Sequence, residues 1–215
     1  GLGIPAEPLF QSGRSESDVG EYAVTLTAYN KSADQINELK LSDIEAEEYC
    51  YEGEIEGDFR IKDSPVPMQL RLKKGAQVII CRNDFSQECV NGTIAIVSKL
   101  DKDSIQVRLK NGKKIDMKKM VWESRESVYN EEKMKVESEV VGTFTQYPLK
   151  LAWAITIHKS QGMTFDRMHL DLTRGTFAPG QTYVAVSRMR TLEGLTISNK
   201  VKRHHIIQNA EIKAY

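Results

Sequence analysis

The stretch Ala152-Trp-Ala-Ile-Thr-Ile-His-Lys-Ser-Gln-Gly-Met-Thr-Phe165 carries an apolar run straight into a compact set of polar groups and a glycine. Thr156, His158, Lys159, Ser160 and Gln161 all bear hydrogen-bond donors, and Gly162 supplies a position where the backbone can turn through positive φ or approach a ligand closely. Donors clustered beside a glycine suit phosphate oxygens. A second run follows, Gly180-Gln-Thr-Tyr-Val-Ala-Val-Ser-Arg-Met-Arg-Thr-Leu-Glu-Gly-Leu195. Its spacing predicts a helix of small and apolar residues from Gln181 to Arg190, with Arg188 on it. Outward from these runs, Tyr22 to Thr27, Arg167 to Leu172 and Leu195 to Ser198 read as strands. Ser32-Ala-Asp-Gln35 reads as a capping box opening a helix with Ala33, Ile36 and Leu39 on one face. Pro148 is placed as the first residue of a mostly buried helix containing Leu149, Leu151, Ala152, Trp153 and Ile155. Alternating β and α elements imply an α/β fold around a parallel sheet.

A different pattern interrupts that alternation. From Asp34 to Pro67 acidic residues dominate, including Asp43, Glu45, Glu47, Glu48, Glu52, Glu54, Glu56 and Asp58, and the run is expected to be a solvated surface loop. Beyond Pro65 and Pro67 the period shortens. Gln77 to Cys81, Thr93 to Leu100, Ser104 to Leu109, Lys114 to Met117 and a long stretch around Lys133 to Gln146 read as strands. Turn signals fall between them at Asn91-Gly92, Asp101-Lys-Asp103 and Asn111-Gly112. Several short strands in close succession suggest a small barrel.

Taken together, the two opening runs resemble motifs V and VI of superfamily 1 DNA helicases of the PIF/RecD type. Leu26-Thr-Ala-Tyr-Asn30 with Asp34-Gln-Ile-Asn37 resembles motif IV, and Gly142-Thr-Phe-Thr-Gln-Tyr-Pro-Leu-Lys-Leu-Ala-Trp153 resembles the approach to motif V. Leu72-Lys-Lys-Gly-Ala-Gln-Val-Ile-Ile-Cys-Arg-Asn-Asp84, followed by Val90-Asn-Gly-Thr93, is similar to the start of the barrel that these helicases insert into their second motor domain. The resemblance covers residues 22 to 215. It implies a RecA-like parallel-sheet domain at residues 21–66 and 145–215, interrupted by a small SH3-like β-barrel at 67–144. Residues 1–20 are expected to be a flexible linker or an expression-derived segment.

The resemblance also assigns roles. Thr156, His158, Lys159 and Ser160 are expected to hold phosphates of a single DNA strand, with Asn30 as a further contact. Threonine and serine serve equally well as helix-terminus caps, His158 as a satisfied histidine and Lys159 as a solvated cation, so residue types alone leave those readings open. Gln161 and Gly162 are expected to face the nucleotide cleft, although Gly162 also fits a helix C-terminus. Arg188 is expected to reach the γ-phosphate of ATP from across that cleft, where a planar, permanently charged guanidinium stabilises the transferring group. Val186 stands where many relatives have leucine, a swap of small consequence.

No Gly-x-x-x-x-Gly-Lys-[Ser/Thr] sequence occurs, and no Asp-Glu pair ends an apolar strand. ATP and Mg2+ are therefore expected to be held mainly by a first RecA-like domain, and this chain alone is expected to lack ATPase activity. The 215 residues carry 30 basic and 30 acidic side chains, and bases dominate over acids from Lys150 onward, where both motifs lie. No apolar run approaches the roughly 18 residues a membrane span needs. Three cysteines, Cys50, Cys81 and Cys89, make no Cys-x-x-Cys pair and support neither a disulfide framework nor a zinc site. His204-His205 lacks a third ligand, so no metal site is expected. The expected partners are single-stranded DNA and the first motor domain, in a monomeric, intracellular protein, cytoplasmic or in the nucleoid if bacterial. A non-enzymatic helicase-like adaptor, and the helicase half of a conjugative relaxase, are the rival readings.

Overall fold

A computed structural model describes residues 20–81, 89–130, 135–198 and 207, with the side chains of 63 and 128–130 left aside. The linker expected at the start of the chain and His204-His205 lie outside these residues. The chain forms two compact units, unit 1 from residues 1–43 and 152–215 and unit 2 from residues 44–151.

Unit 1 begins with strand β1 (Val24–Thr27), buried at all four positions, and helix α1 (Asn30–Ser42). The helix starts two residues before the capping box read from the sequence. Tyr29 occupies the N-cap in extended conformation, no side chain caps the first turn, and Ser32 lies inside the helix with its N–H donated to the Tyr29 carbonyl.

The chain then enters unit 2. The acidic stretch expected as a loop contains two strands, β2 (Glu48–Glu52) and β3 (Glu54–Gly57). Its carboxylates remain mostly in solvent because β2 alternates, burying Tyr51 while Glu48 and Glu52 point outward. The following strands are β4 (Gln69–Lys73), β5 (Gln77–Ile80), β6 (Ile94–Asp101), β7 (Ser104–Leu109) and β8 (Lys114–Met117). Two long strands, β9 (Met120–Asn130) and β10 (Lys135–Gln146), and the short β11 (Leu149–Leu151) complete the unit. All its pairings are antiparallel: β2 with β4, β3-β10-β9, and the five-stranded order β11-β5-β6-β7-β8. Gly112, at φ 83°, makes the Asn-Gly turn between β7 and β8. Gly142 admits the Asp58 backbone so closely that an added Cβ would sit 2.4 Å from its carbonyl carbon. Buried Phe144 stacks with Phe59 and Trp122 at centroid separations of 5.5 and 5.8 Å, forming an aromatic core.

Back in unit 1, the chain adds β12 (Ala154–Thr156), β13 (Met168–Asp171), helix α2 (Gln181–Val186) and β14 (Leu195–Ile197). These strands and β1 form a parallel sheet in the order β12-β1-β13-β14. A mixed, sheet-rich α/β fold is therefore present, as the alternation implied. The helix expected after Pro148 is absent: the same residues form β11 and β12, one in each unit. A continuous apolar run fits a buried strand as well as a buried helix, and pairing with β5 and β1 decides between them.

A candidate strand and nucleotide site

Of the residues singled out from the sequence, Asn30 and Thr156 to Gly162 follow the carboxyl ends of β1 and β12, where open α/β sheets place their ligands, while Arg188 lies beside Phe165, ahead of β13. Thr156 ends β12, and the chain turns through a single 3-10 turn, His158–Ser160, into Gly162 at φ 78°. An αL glycine lets the turn reverse without a Cβ clash, and space around its Cα is open. Helix α1 holds the start of this turn. The Asn37 side chain donates to the Ala154 carbonyl at 2.8 Å and accepts the Ala154 N–H at 2.9 Å, acting as one further rung on the edge strand.

Within the turn, exposure separates the candidates. His158, Lys159, Gln161 and Gly162 are exposed, whereas Thr156 and Ser160 are buried. The Ser160 hydroxyl donates to the Ile157 carbonyl at 2.7 Å, and Thr156 Oγ1 lies 3.5 Å from the Lys159 N–H. Both hydroxyls thus fix the shape of the turn in this conformation. Asn30 is exposed at the first residue of α1.

Arg188 lies just beyond α2, in the turn that follows it, and not on a helix extending to Arg190. Its Nε donates to Val184 O at 3.2 Å, Nη1 to Met163 O at 3.5 Å and Nη2 to Ser187 Oγ at 3.1 Å. The backbone follows the same path: Phe165 N–H donates to Arg188 O at 2.8 Å and Arg190 N–H to Phe165 O at 3.1 Å. The two sequence runs are therefore stitched together, and the guanidinium fork has a fixed orientation with donors left over for a ligand.

Two residues given no site role from the sequence organise the site. Gln181 is 3% exposed, and its Oε1 accepts the N–H groups of Phe177 at 3.0 Å and Ala178 at 3.2 Å. That arrangement fixes which end of the amide is which, leaving Nε2 to face His158 Nδ1 at 3.5 Å. A neutral His158 held this way accepts at Nδ1 and carries its proton on Nε2. Phe177 stacks on His158 at 5.9 Å and meets Tyr29 at 5.3 Å. The signal for both residues is tertiary: nothing in the spacing of 177 and 181 from 158 announces contact. Beside this region an open groove of about 1060 Å³ runs between α1 and the loop after β13, with Lys31, Gln35, Asp171 and Arg174 among its walls.

Among the described residues, no group of three His, Cys, Asp or Glu side chains is arranged to hold a metal, and no helix is long and apolar enough to cross a membrane. Cys81 and Cys89 are buried and Cys50 is exposed, all as free thiols.

Comparison with known proteins matches this geometry to a set of homologues. The chain is 36% identical to the ATP-dependent DNA helicase Pif1 of Bdellovibrio bacteriovorus over 169 residues, and 36% identical to Xenopus laevis PIF1 over 186. These matches take in 76% and 83% of the chain but only 36% and 28% of the relatives. Among solved structures, unliganded Pif1 from Bacteroides superposes over 96% of the chain and 48% of its own length, with a TM-score of 0.84 at 33% identity. Bacteroides Pif1 in complex with ADP-AlF4 gives 0.80 at 34% identity over 92% of the chain and 45% of its own, and the same protein bound to ssDNA gives 0.71 at 32% over 93% and 48%. No family model matches the sequence. With two interlocked motifs at the strand ends and relatives of this one kind over most of its length, the chain belongs to the Pif1-type helicases, corresponding to a C-terminal region of such a protein.

Proposed function

We propose that this chain is the second motor region of an ATP-dependent DNA helicase that grips a single strand and completes a nucleotide site built mainly by a first RecA-like domain. Unit 1 is the RecA-like part, and the antiparallel unit is the inserted SH3-like barrel, which at residues 44–151 is longer than the 67–144 read from sequence. The observation that carries this reading is the physical link between the two motifs, Arg188 Nη1 on Met163 O and the paired backbones of Phe165 and Arg188–Arg190. A shift of the strand-holding turn is thereby a shift of the arginine.

In this reading His158 Nε2–H and the Lys159 ammonium meet strand phosphates, and Asn30 meets the same strand from the start of α1. Thr156 and Ser160 hold the turn in the shape that presents those donors. Gln161 and Gly162 face the nucleotide. Arg188 fits a phosphate-facing role: three of its donors are anchored, its fork is rigid, and the remaining N–H groups suit a γ-phosphoryl oxygen. ATP with Mg2+, when bound, supplies the phosphoryl group whose loss drives the cycle; this chain orients one cation toward it and changes its grip as the cleft opens and closes. The relatives whose structures contain ADP-AlF4 and ssDNA lend both ligands to the proposal. The protein acts as a monomer on intracellular DNA, and the isolated chain does not hydrolyse ATP.

Arg188→Ala in the intact protein tests the reading. DNA-stimulated ATP hydrolysis is expected to fall about 10³-fold or more while single-strand affinity stays within a few-fold. Lost strand binding with retained hydrolysis would move Arg188 out of the nucleotide site, retention of both would leave it without a role in either, and a wild-type protein that binds the strand without hydrolysing ATP would favour the non-enzymatic adaptor.

A further inference from the structure

The ring of Phe177 is 55% exposed although it touches two other rings, those of His158 and Tyr29. Exposure of a phenylalanine in a wandering loop has little meaning, but this loop is fixed from several directions. Gln181 Oε1 takes the N–H groups of Phe177 and Ala178. Asp171 Oδ1 accepts the Thr173 N–H at 2.9 Å, and Gly175 N–H donates to Leu172 O at 2.8 Å. The apolar ring is thus held in water on an anchored backbone, which lowers the entropy lost when something covers it. The three rings also come from three separate strand ends, those of β1, β12 and β13. Lys159, next to His158 in the chain, is exposed.

We propose that Phe177, flanked by Tyr29 and His158, is a stacking platform for a nucleobase of the bound single strand. The inference rests on the strand-binding role proposed for the His158–Lys159 turn and adds what that role lacks, a contact to a base. An aromatic face beside phosphate donors is the composition that holds single strands without reading their sequence, because every base offers a π-face. His158 links the two functions. Its ring stacks on Phe177, while Gln181 holds its Nδ1 and leaves Nε2–H for a phosphate. One nucleotide spans both contacts, its phosphate on the imidazole edge and its base on the phenyl face.

The experiment compares wild type with Phe177→Leu and Phe177→Trp in the intact, nucleotide-free protein. The strands are oligothymidylate, the same strand with 2-aminopurine at successive positions, and a strand of abasic sites. Stacking is expected to quench 2-aminopurine at a defined position. Phe177→Leu should remove that quenching and weaken oligothymidylate binding about fivefold to a hundredfold, with abasic-strand affinity unchanged. Phe177→Trp should restore affinity and show quenching of its own indole fluorescence by the strand. Equal binding of oligothymidylate and abasic strand by wild type, or a Leu variant indistinguishable from wild type, overturns the platform while leaving phosphate binding intact, and assigns the exposed ring to a protein contact. Failure of wild type to bind either strand overturns the strand-binding reading itself.

Discussion

Strand β1 of unit 1 is buried at every position, whereas β7 of unit 2 alternates exposed and buried residues along its length. The first lies between parallel neighbours and the second between antiparallel ones with a wet face. This difference governs where polar chemistry can collect. A sheet buried on both faces admits small or partnered polar side chains such as Thr25, Thr27 and His169 along its strands, and exposed donors collect beyond a strand end, where His158 and Lys159 are found. An antiparallel sheet with one solvated face spreads charge along its whole surface. Arg71–Glu48, Lys99–Asp101, Lys119–Glu54 and Arg125–Glu123 all lie in unit 2, while Arg190–Asp166 lies in unit 1. A polar cluster therefore marks a site in unit 1 and an ordinary surface in unit 2.

Three changes probe that contrast, beginning with the largest. Phe144→Ala empties the aromatic centre of unit 2 between Phe59 and Trp122, and should cost about 3–5 kcal/mol. Amide exchange of Val24–Thr27 in unit 1 is expected to stay slow when this change is made. Faster exchange in both places would show that the two units unfold together, and the contrast would then describe surfaces and not folding units.

Asn37→Ala tests unit 1 at its edge. The substitution strands the N–H and carbonyl of Ala154, and part-buried backbone groups left without partners cost about 1–3 kcal/mol. The expected readout is a lowered melting temperature with exchange at Ala154 rising more than at Met168. A uniform change would mean that the amide supports the helix and not the strand.

The smallest effect is alkaline. Burial pushes the Tyr51 phenol up to about 12, with Tyr147, Tyr49, Asp101 and Asp103 adding to the shift. Its hydroxyl donates to the Asp101 carbonyl at 2.6 Å, and Tyr147 likewise reaches Asp103 O at 2.7 Å. The folded state thus binds the proton more tightly than the unfolded chain, whose phenol titrates near 10. Stability from Tyr51 is complete below that pH and drains away as pH rises toward about 12. Chemical denaturation at a series of alkaline pH values should show Tyr51→Phe declining less steeply than wild type. Identical slopes would remove Tyr51 from the account.

The same contrast explains what could be read from sequence. Ser104–Leu109 and Lys114–Met117 have the bounds that their alternation predicts, since one wet face writes its period into the residues. In unit 1, β1, β13 and β14 were legible as short stretches in which apolar residues alternate with polar ones. Leu149–Ile155 was not, because its apolar residues fit a buried helix equally well, and only partners far away in sequence choose two strands. Glu48–Gly57 hid two strands behind acidic residues that are simply their solvent face. The donor cluster and Arg188 announced themselves by local composition. Gln181 and Phe177 did not, since their importance arises from reaching His158 across the fold.

Asn37 has one more consequence. It sits just past the middle of α1, the last element before the chain departs from unit 1, and it grasps Ala154, just after the chain returns. The two ends of a long excursion are therefore pinned by a side-chain clasp that belongs entirely to the host. Once such ends are held, the entropy of closing the excursion grows only with the logarithm of its length, about 0.6 kcal/mol for each doubling. Unit 1 thereby offers a socket: segments of quite different size can be grafted between Asp43 and Ala152 at little cost to the sheet beneath the candidate site.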